Sequence, residues 1–218
     1  EIGGRDSRAE PLERRRDLLA GLLGSIREPT ATFLRMSEPL LAGEVADLRA
    51  LEQLRETARD RGVEGLMLKR RGSPYRSGRV RGDWWKFKAD PFELDAVLVY
   101  AQAGSGRRAN LFTDYTFALW EQGALVPFAK AYSGLDNEEI NRLDRWIRSN
   151  TTERFGPARA VEARQGFTIG FEGISESRRH KSGIAVRFPR ILRWREDKAA
   201  ADADSLASAR ALLESLPR

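Results

Sequence analysis

Three short stretches of this chain combine cations, carboxylates and aromatic rings at spacings that suit phosphate chemistry. In Trp84-Trp85-Lys86-Phe87-Lys88, the two lysines lie two residues apart and would project from one face of an extended strand, beside Trp84. Two ammonium groups on one strand can bracket a single phosphate, while Trp85 and Phe87 on the other face would anchor the strand in a core. An edge strand guarded by lysines is the structural alternative. In Glu64-Gly65-Leu66-Met67-Leu68-Lys69, alternation sets Glu64, Leu66 and Leu68 on one face and Gly65, Met67 and Lys69 on the other. A carboxylate at the strand's start suits a divalent cation or a ribose hydroxyl, and Gly65 permits close approach of a ligand or another backbone segment. The third stretch is Arg187-Phe188-Pro189-Arg190, running on through Arg193 and Arg195 to Glu196-Asp197-Lys198. Its arginines offer planar donor forks for phosphate oxygens; Asp197 would orient a metal-bound leaving group or pair internally with its neighbours. A basic strand on a barrel surface is the competing reading.

Charge supports a polyanion partner. The 218-residue chain has a formal net charge of +6, but two windows, Lys69–Lys88 and Arg178–Lys198, hold sixteen of its 38 lysines and arginines and three of its 32 acids. The remainder is net acidic, and clustered cations on an acidic body are the footprint of phosphate binding through counterion release. Arg70, Arg71, Arg76, Arg178, Arg179, Lys181, Arg193 and Arg195 fall in these windows as candidate polyanion contacts. Cysteine is absent and His180 is the only histidine, which sets aside disulfides, cysteine zinc sites and most Ser/His/Asp triads. No apolar run approaches the length of a membrane-spanning helix.

The elements that would position these groups can be read from periodicity. Leu12 to Gly24 has helical spacing, Glu28-Pro29-Thr30 breaks it, and Thr32–Met36 suits a short strand. A second helix is expected over Gly43–Arg61, with Val45, Leu48, Leu51, Leu54 and Ala58 on one face and Gly62 as a left-handed cap. Val63–Lys69 and Asp83–Lys88 read as strands around a loop at Ser73–Gly78. Asp90-Pro91 looks like a boundary between domains 1–90 and 91–218. Beyond it, strands are expected at Leu94–Ala103, Leu111–Glu121, Leu125–Tyr132 and Gly166–Ile174, with one helix from Asp136 to Ser149 and a last one from Ser205 to Leu216. The fold class is therefore α+β, with a small Greek-key barrel of the OB type in the second domain, a sandwich being the alternative.

In order and spacing, the three stretches resemble motifs IV, V and VI of the covalent nucleotidyltransferases, and the likeness is greatest to ATP-dependent DNA ligases of the bacterial type. Phe171–Ile174, His180–Gly183 and Ala131–Leu135 are similar to that group as well, and Arg5–Leu23 is similar to the segment that follows motif III. The resemblance implies the later part of an adenylation domain over 1–90 and an OB-fold domain with a C-terminal helix over 91–218. It implies ATP and Mg²⁺ (or Mn²⁺) as cofactors, nicked duplex DNA as partner, a monomer, and a bacterial cytoplasmic, nucleoid-associated setting. Glu64 would bind the metal. Glu64, Lys69, Lys86, Lys88 and Arg187 would hold the nucleotide, Lys86 and Lys88 contacting the AMP phosphate. The second domain would swing about Asp90, bringing Arg187, Arg190, Asp197 and Lys198 over the pyrophosphate in the first step and then onto DNA. None of the six lysines, at 69, 86, 88, 130, 181 and 198, is followed by x-Asp-Gly, the pattern that carries the family's nucleophile. Motifs I and III are missing, so this polypeptide is expected to be part of a longer one and to form no lysyl-AMP by itself. A messenger-RNA capping enzyme and a non-catalytic OB module are the alternative readings; an NAD-dependent ligase is disfavoured by the lack of cysteine.

Overall fold

The computed structural model describes residues 1–26, 34–40, 48–104, 106 and 109–216. The chain divides into two compact units, Glu1–Ala89 and Asp90–Arg218.

In the first unit, α1 (Leu12–Ser25) and α2 (Leu48–Glu56) accompany a two-stranded antiparallel sheet of β1 (Gly65–Lys69) and β2 (Trp84–Lys88). The start of α1 is tied to the loop after β1: Glu13 N donates to Arg71 O (3.1 Å) and the Arg15 guanidinium to Ser73 O (3.0 Å). No residue of α1 is fully buried, and Leu19 and Leu22 are exposed. A 3-10 turn at Arg59–Arg61 prolongs α2, and Gly62 closes it at φ +67°, as expected. Leu51 and Ala58 are buried, but Leu48 is 76% exposed, so the expected apolar face is shorter than its periodicity. Residues 43–47, Val45 among them, and the turn at Glu28-Pro29-Thr30 lie outside the described residues. Leu34–Met36 forms no strand; the rest of that expected segment, Thr32 and Phe33, is likewise outside them.

The second unit is a curled antiparallel sheet in the order β11 (Arg190–Trp194), β8 (Gly166–Phe171), β3 (Phe92–Ala103), β4 (Phe112–Glu121) and β5 (Ala124–Ala131). One edge of the twelve-residue β3 is shared: its first half pairs with β8, and residues 100–102 pair with β7 (Ala158–Val161), which itself pairs with β6 (Thr151–Phe155). Ser133 O accepts from Ile191 N (2.9 Å), which links the chain just beyond β5 to β11 and brings the two ends of the sheet together. This closure supports the barrel over the sandwich. It also depends on Gly134, at φ +114°, where a Cβ would overlap the Ile191 carbonyl.

Helix α3 (Asn137–Ser149) starts at a capping box: Asp136 Oδ1 accepts from Glu139 N (2.8 Å) and Glu139 Oε2 from Asp136 N (2.9 Å), an arrangement worth about 1 kcal/mol. It buries Ile140, and packs Leu143 and Ile147 into a core that contains Phe117, Phe167, Ile169 and Phe171. Helix α4 (Leu206–Glu214) buries Leu206 and Ala209, so its role is packing. The expected single strand Gly166–Ile174 is two, because Glu172 interrupts it: β9 (Gly173–Glu176) leaves the sheet to pair with β10 (Ile184–Arg187).

Candidate phosphate-binding site

In the first unit the register pairs Gly65 with Lys88, Met67 with Lys86 and Lys69 with Trp84. Cross-strand partners share a face, so Lys69, Lys86 and Lys88 stand on one side of the sheet around Gly65 and Met67. Gly65 has φ +140°, and a Cβ there would sit 2.6 Å from Lys88 Cα; the close approach is to a backbone segment. The same φ breaks alternation at the strand's start. Glu64 accordingly does not stay with Leu66 and Leu68: its carboxylate lies 3.6 Å from Lys88 Nζ. Lys69 Nζ lies 4.6 Å from the Trp84 ring. The opposite face is only partly covered. Arg55 of α2 sits over Phe87 at 5.2 Å, but Trp85 is 51% exposed and does not anchor the strand as expected.

The loop after β1 places Arg76 beside Asp83 (3.3 Å) in a cleft of about 200 Å³ lined also by Tyr75, Val80 and Trp84. Arg70 and Arg71 are exposed near it.

In the second unit the third stretch is spread along β10 and β11. Arg187 and Arg190 flank the turn at Phe188, which has φ +52°, and Arg190 pairs with Glu172 at 2.8 Å. Arg178, Arg179 and Lys181 lie in the β9–β10 turn, at the other end of that hairpin. Arg195, Asp197 and Lys198 follow the far end of β11, roughly 13 Å of extended chain from Arg190. Exposed Arg193 lies between. The structure therefore separates Arg187 and Arg190 from Asp197 and Lys198.

Around Arg195 the charges are organised. Its guanidinium holds Asp197 through two hydrogen bonds (both 2.8 Å) and Asp95 Oδ2 at 2.7 Å. Lys198 Nζ reaches the same Asp95 oxygen at 2.6 Å, and Thr168 donates to Asp95 Oδ1 at 2.6 Å. Burial pushes the Asp95 carboxyl up, but the hydrogen bonds from Lys198 and Thr168 and the charge of Arg195 outweigh it and hold it below the ordinary value. The Arg195 hydrogen bonds likewise hold Asp197 well below the carboxylate range. Depressed carboxyls contribute stability above the unfolded-state pKa of about 4 and lose it as pH falls further. The melting temperature of this chain is expected to be level from pH 7 to 5 and to fall below about pH 4, with a shallower acid limb in Asp95→Asn; thermal melts across pH check this.

Sequence reasoning missed Asp95, Thr168 and Glu172. A signal for Asp95 was present: an acid between Leu94 and the buried run Ala96-Val97-Leu98 must be paired. Among the described residues no group of three or more His, Cys, Asp or Glu is placed to hold a metal. Glu64, paired with Lys88 at 3.6 Å, would by itself supply a single carboxylate ligand to Mg²⁺, which takes its remaining ligands from phosphates and water. No helix among the described residues is long and apolar enough to cross a membrane.

Comparison with known proteins follows this division. The family described as "ATP dependent DNA ligase domain" matches residues 3–88, and "ATP dependent DNA ligase C terminal region" matches residues 108–198. A probable DNA ligase of Koribacter versatilis is 41% identical over 165 residues, 76% of this chain and 29% of that protein. A DNA ligase of Natronomonas pharaonis is 36% identical over 205 residues, 94% of this chain and 35% of that one. This chain thus spans about a third of these relatives. A solved structure of a Lig E DNA ligase shares the fold, with a TM-score of 0.55 at 23% identity over 85% of this chain and 59% of that one. Two family matches in order along the chain, over the units that hold the lysine face and the Arg195 cluster, place it in the ATP-dependent DNA ligase family.

Proposed function

We propose that this chain is the phosphate-holding part of an enzyme that seals nicks in duplex DNA with ATP, through an enzyme–AMP intermediate. The observation that carries this is the shared face of Lys69, Lys86 and Lys88 beside Glu64, within a family-matched segment. In this reading Lys86 and Lys88 neutralise the nucleotide phosphate, and Lys69 and Glu64 flank it. Electrostatic stabilisation of charge developing on a transferred phosphate is what ammonium groups fixed on a strand can do. Mg²⁺ held through Glu64 would add Lewis-acid polarisation of phosphate oxygens. Arg187, Arg190, Asp197 and Lys198 serve the nucleotide step, and Arg70, Arg71, Arg76, Arg178, Arg179, Lys181 and Arg193 serve the DNA backbone. Arg195 organises Asp95 and Asp197 rather than gripping DNA, since each of its three guanidinium nitrogens donates to one of these carboxylates. Nicked duplex DNA as partner, a monomer and a cytoplasmic setting belong to the same reading.

The test is binding by this chain to matched oligonucleotides. A duplex nicked with a 5′-phosphate is expected to bind more tightly than the intact duplex, with affinity falling steeply with salt. Lys86→Ala and Lys88→Ala are expected to weaken the binding of AMP by this chain, the readout of the nucleotide-phosphate role. Equal binding to single strands and nicked duplex would instead indicate a non-catalytic OB module.

A further inference from the structure

The geometry points to Asp95 as a positioning residue: a carboxylate seat that holds Arg195 permanently and Lys198 only until a phosphate replaces it. The proposal rests on the reading of Lys198 as a phosphate ligand.

Asp95 is fixed from several sides. Its backbone N donates to Asp204 Oδ2 (2.7 Å), its carbonyl accepts from Asp204 N (2.8 Å), and Thr168 holds one carboxylate oxygen. The other oxygen serves both cations. They are not equivalent. Arg195 is 16% exposed and has a second, bidentate carboxylate in Asp197; the Lys198 side chain is 39% exposed and, among the described residues, its ammonium pairs with Asp95 alone. An ammonium on a flexible stem re-aims its donors easily, whereas a guanidinium forked onto two carboxylates does not. A phosphate chain brings more charge and more acceptors than one carboxylate. Lys198 is therefore the exchangeable cation. Until it exchanges, Asp95 neutralises it and repels an incoming anion.

Inorganic pyrophosphate is the probe, titrated calorimetrically into the 218-residue chain at low salt. Asp95→Asn keeps the shape and removes the charge, and is expected to tighten binding about 5-fold. Glu196→Gln changes net charge equally, at an acid paired with Arg142 (3.1 Å), and is expected to gain less than about 2-fold. In a Lys198→Met background the Asp95→Asn gain should vanish, as a double-mutant cycle requires of coupled groups. If Lys198→Met leaves pyrophosphate binding unchanged, the phosphate role of Lys198 fails and the seat with it. If Lys198→Met weakens binding but Asp95→Asn does not tighten it, or tightens it equally without Lys198, only the seat is overturned. Should Asp95→Asn not fold, the Lys198 ammonium resonance of the unaltered chain decides. Its hydrogen bond to Asp95 should be lost at saturating pyrophosphate, and its persistence there overturns the proposal.

Discussion

Gly134→Ala is expected to destabilise the barrel by about 3 kcal/mol or more. Two costs combine. An L-residue at φ +114° leaves its allowed backbone region, at about 1–2 kcal/mol, and its Cβ would overlap the Ile191 carbonyl, a backbone atom that no rotamer change can move aside. Forced overlap in packed structure costs a further 1–3 kcal/mol or so. The overlapped residue is the one whose N–H bonds to Ser133 and joins the ends of the sheet, so relaxation would open that junction. Denaturant unfolding of the variant against the parent measures the loss. A difference under about 0.5 kcal/mol, the range of an ordinary surface change, would mean that the junction is not formed as described.

Incubating this polypeptide with ATP labelled on the α-phosphate and Mg²⁺ is expected to leave no covalent label. Lys88-Ala89-Asp90 comes nearest to Lys-x-Asp-Gly, but it continues into Pro91, and Lys88 faces the Glu64 carboxylate at 3.6 Å. Positive charge can steady a phosphate; it cannot replace a nucleophile. The outcome is all or none on a denaturing gel. A labelled band at 24.6 kDa would show that a lysine outside the expected pattern attacks ATP.

Much of the fold was legible because its signals are local. The hairpin between β4 and β5 turns on Gln122-Gly123, both at positive φ, and such two-residue turns announce themselves in sequence. The helix expected from Asp136 starts there, on a capping box formed by Asp136 and Glu139. What stayed hidden was set by distant partners. Glu172 breaks an apolar strand because the Arg187 carbonyl, at the end of β10, accepts its N–H and Arg190, at the start of β11, pairs with its carboxylate. Trp85 has the composition of a core residue, yet it lies where its sheet is not covered. Within the site, the lysine face followed from a two-residue spacing. The engagement of Arg195 did not, because Asp95 lies a hundred residues away in sequence.

That separation has a consequence for how the chain assembles. β3, β4 and β5 are neighbours in sequence and in the sheet, so they can zip as a meander while later residues are still being made. β8 and β11 must close long loops first, and long-range strand pairing is slow. Asp95 thus waits on an open strand edge, without Thr168, Arg195 or Lys198, until the sheet is nearly finished. An emerging chain is therefore expected to pass through a stage in which this carboxylate lies on an unpaired edge, where a charge discourages intermolecular pairing.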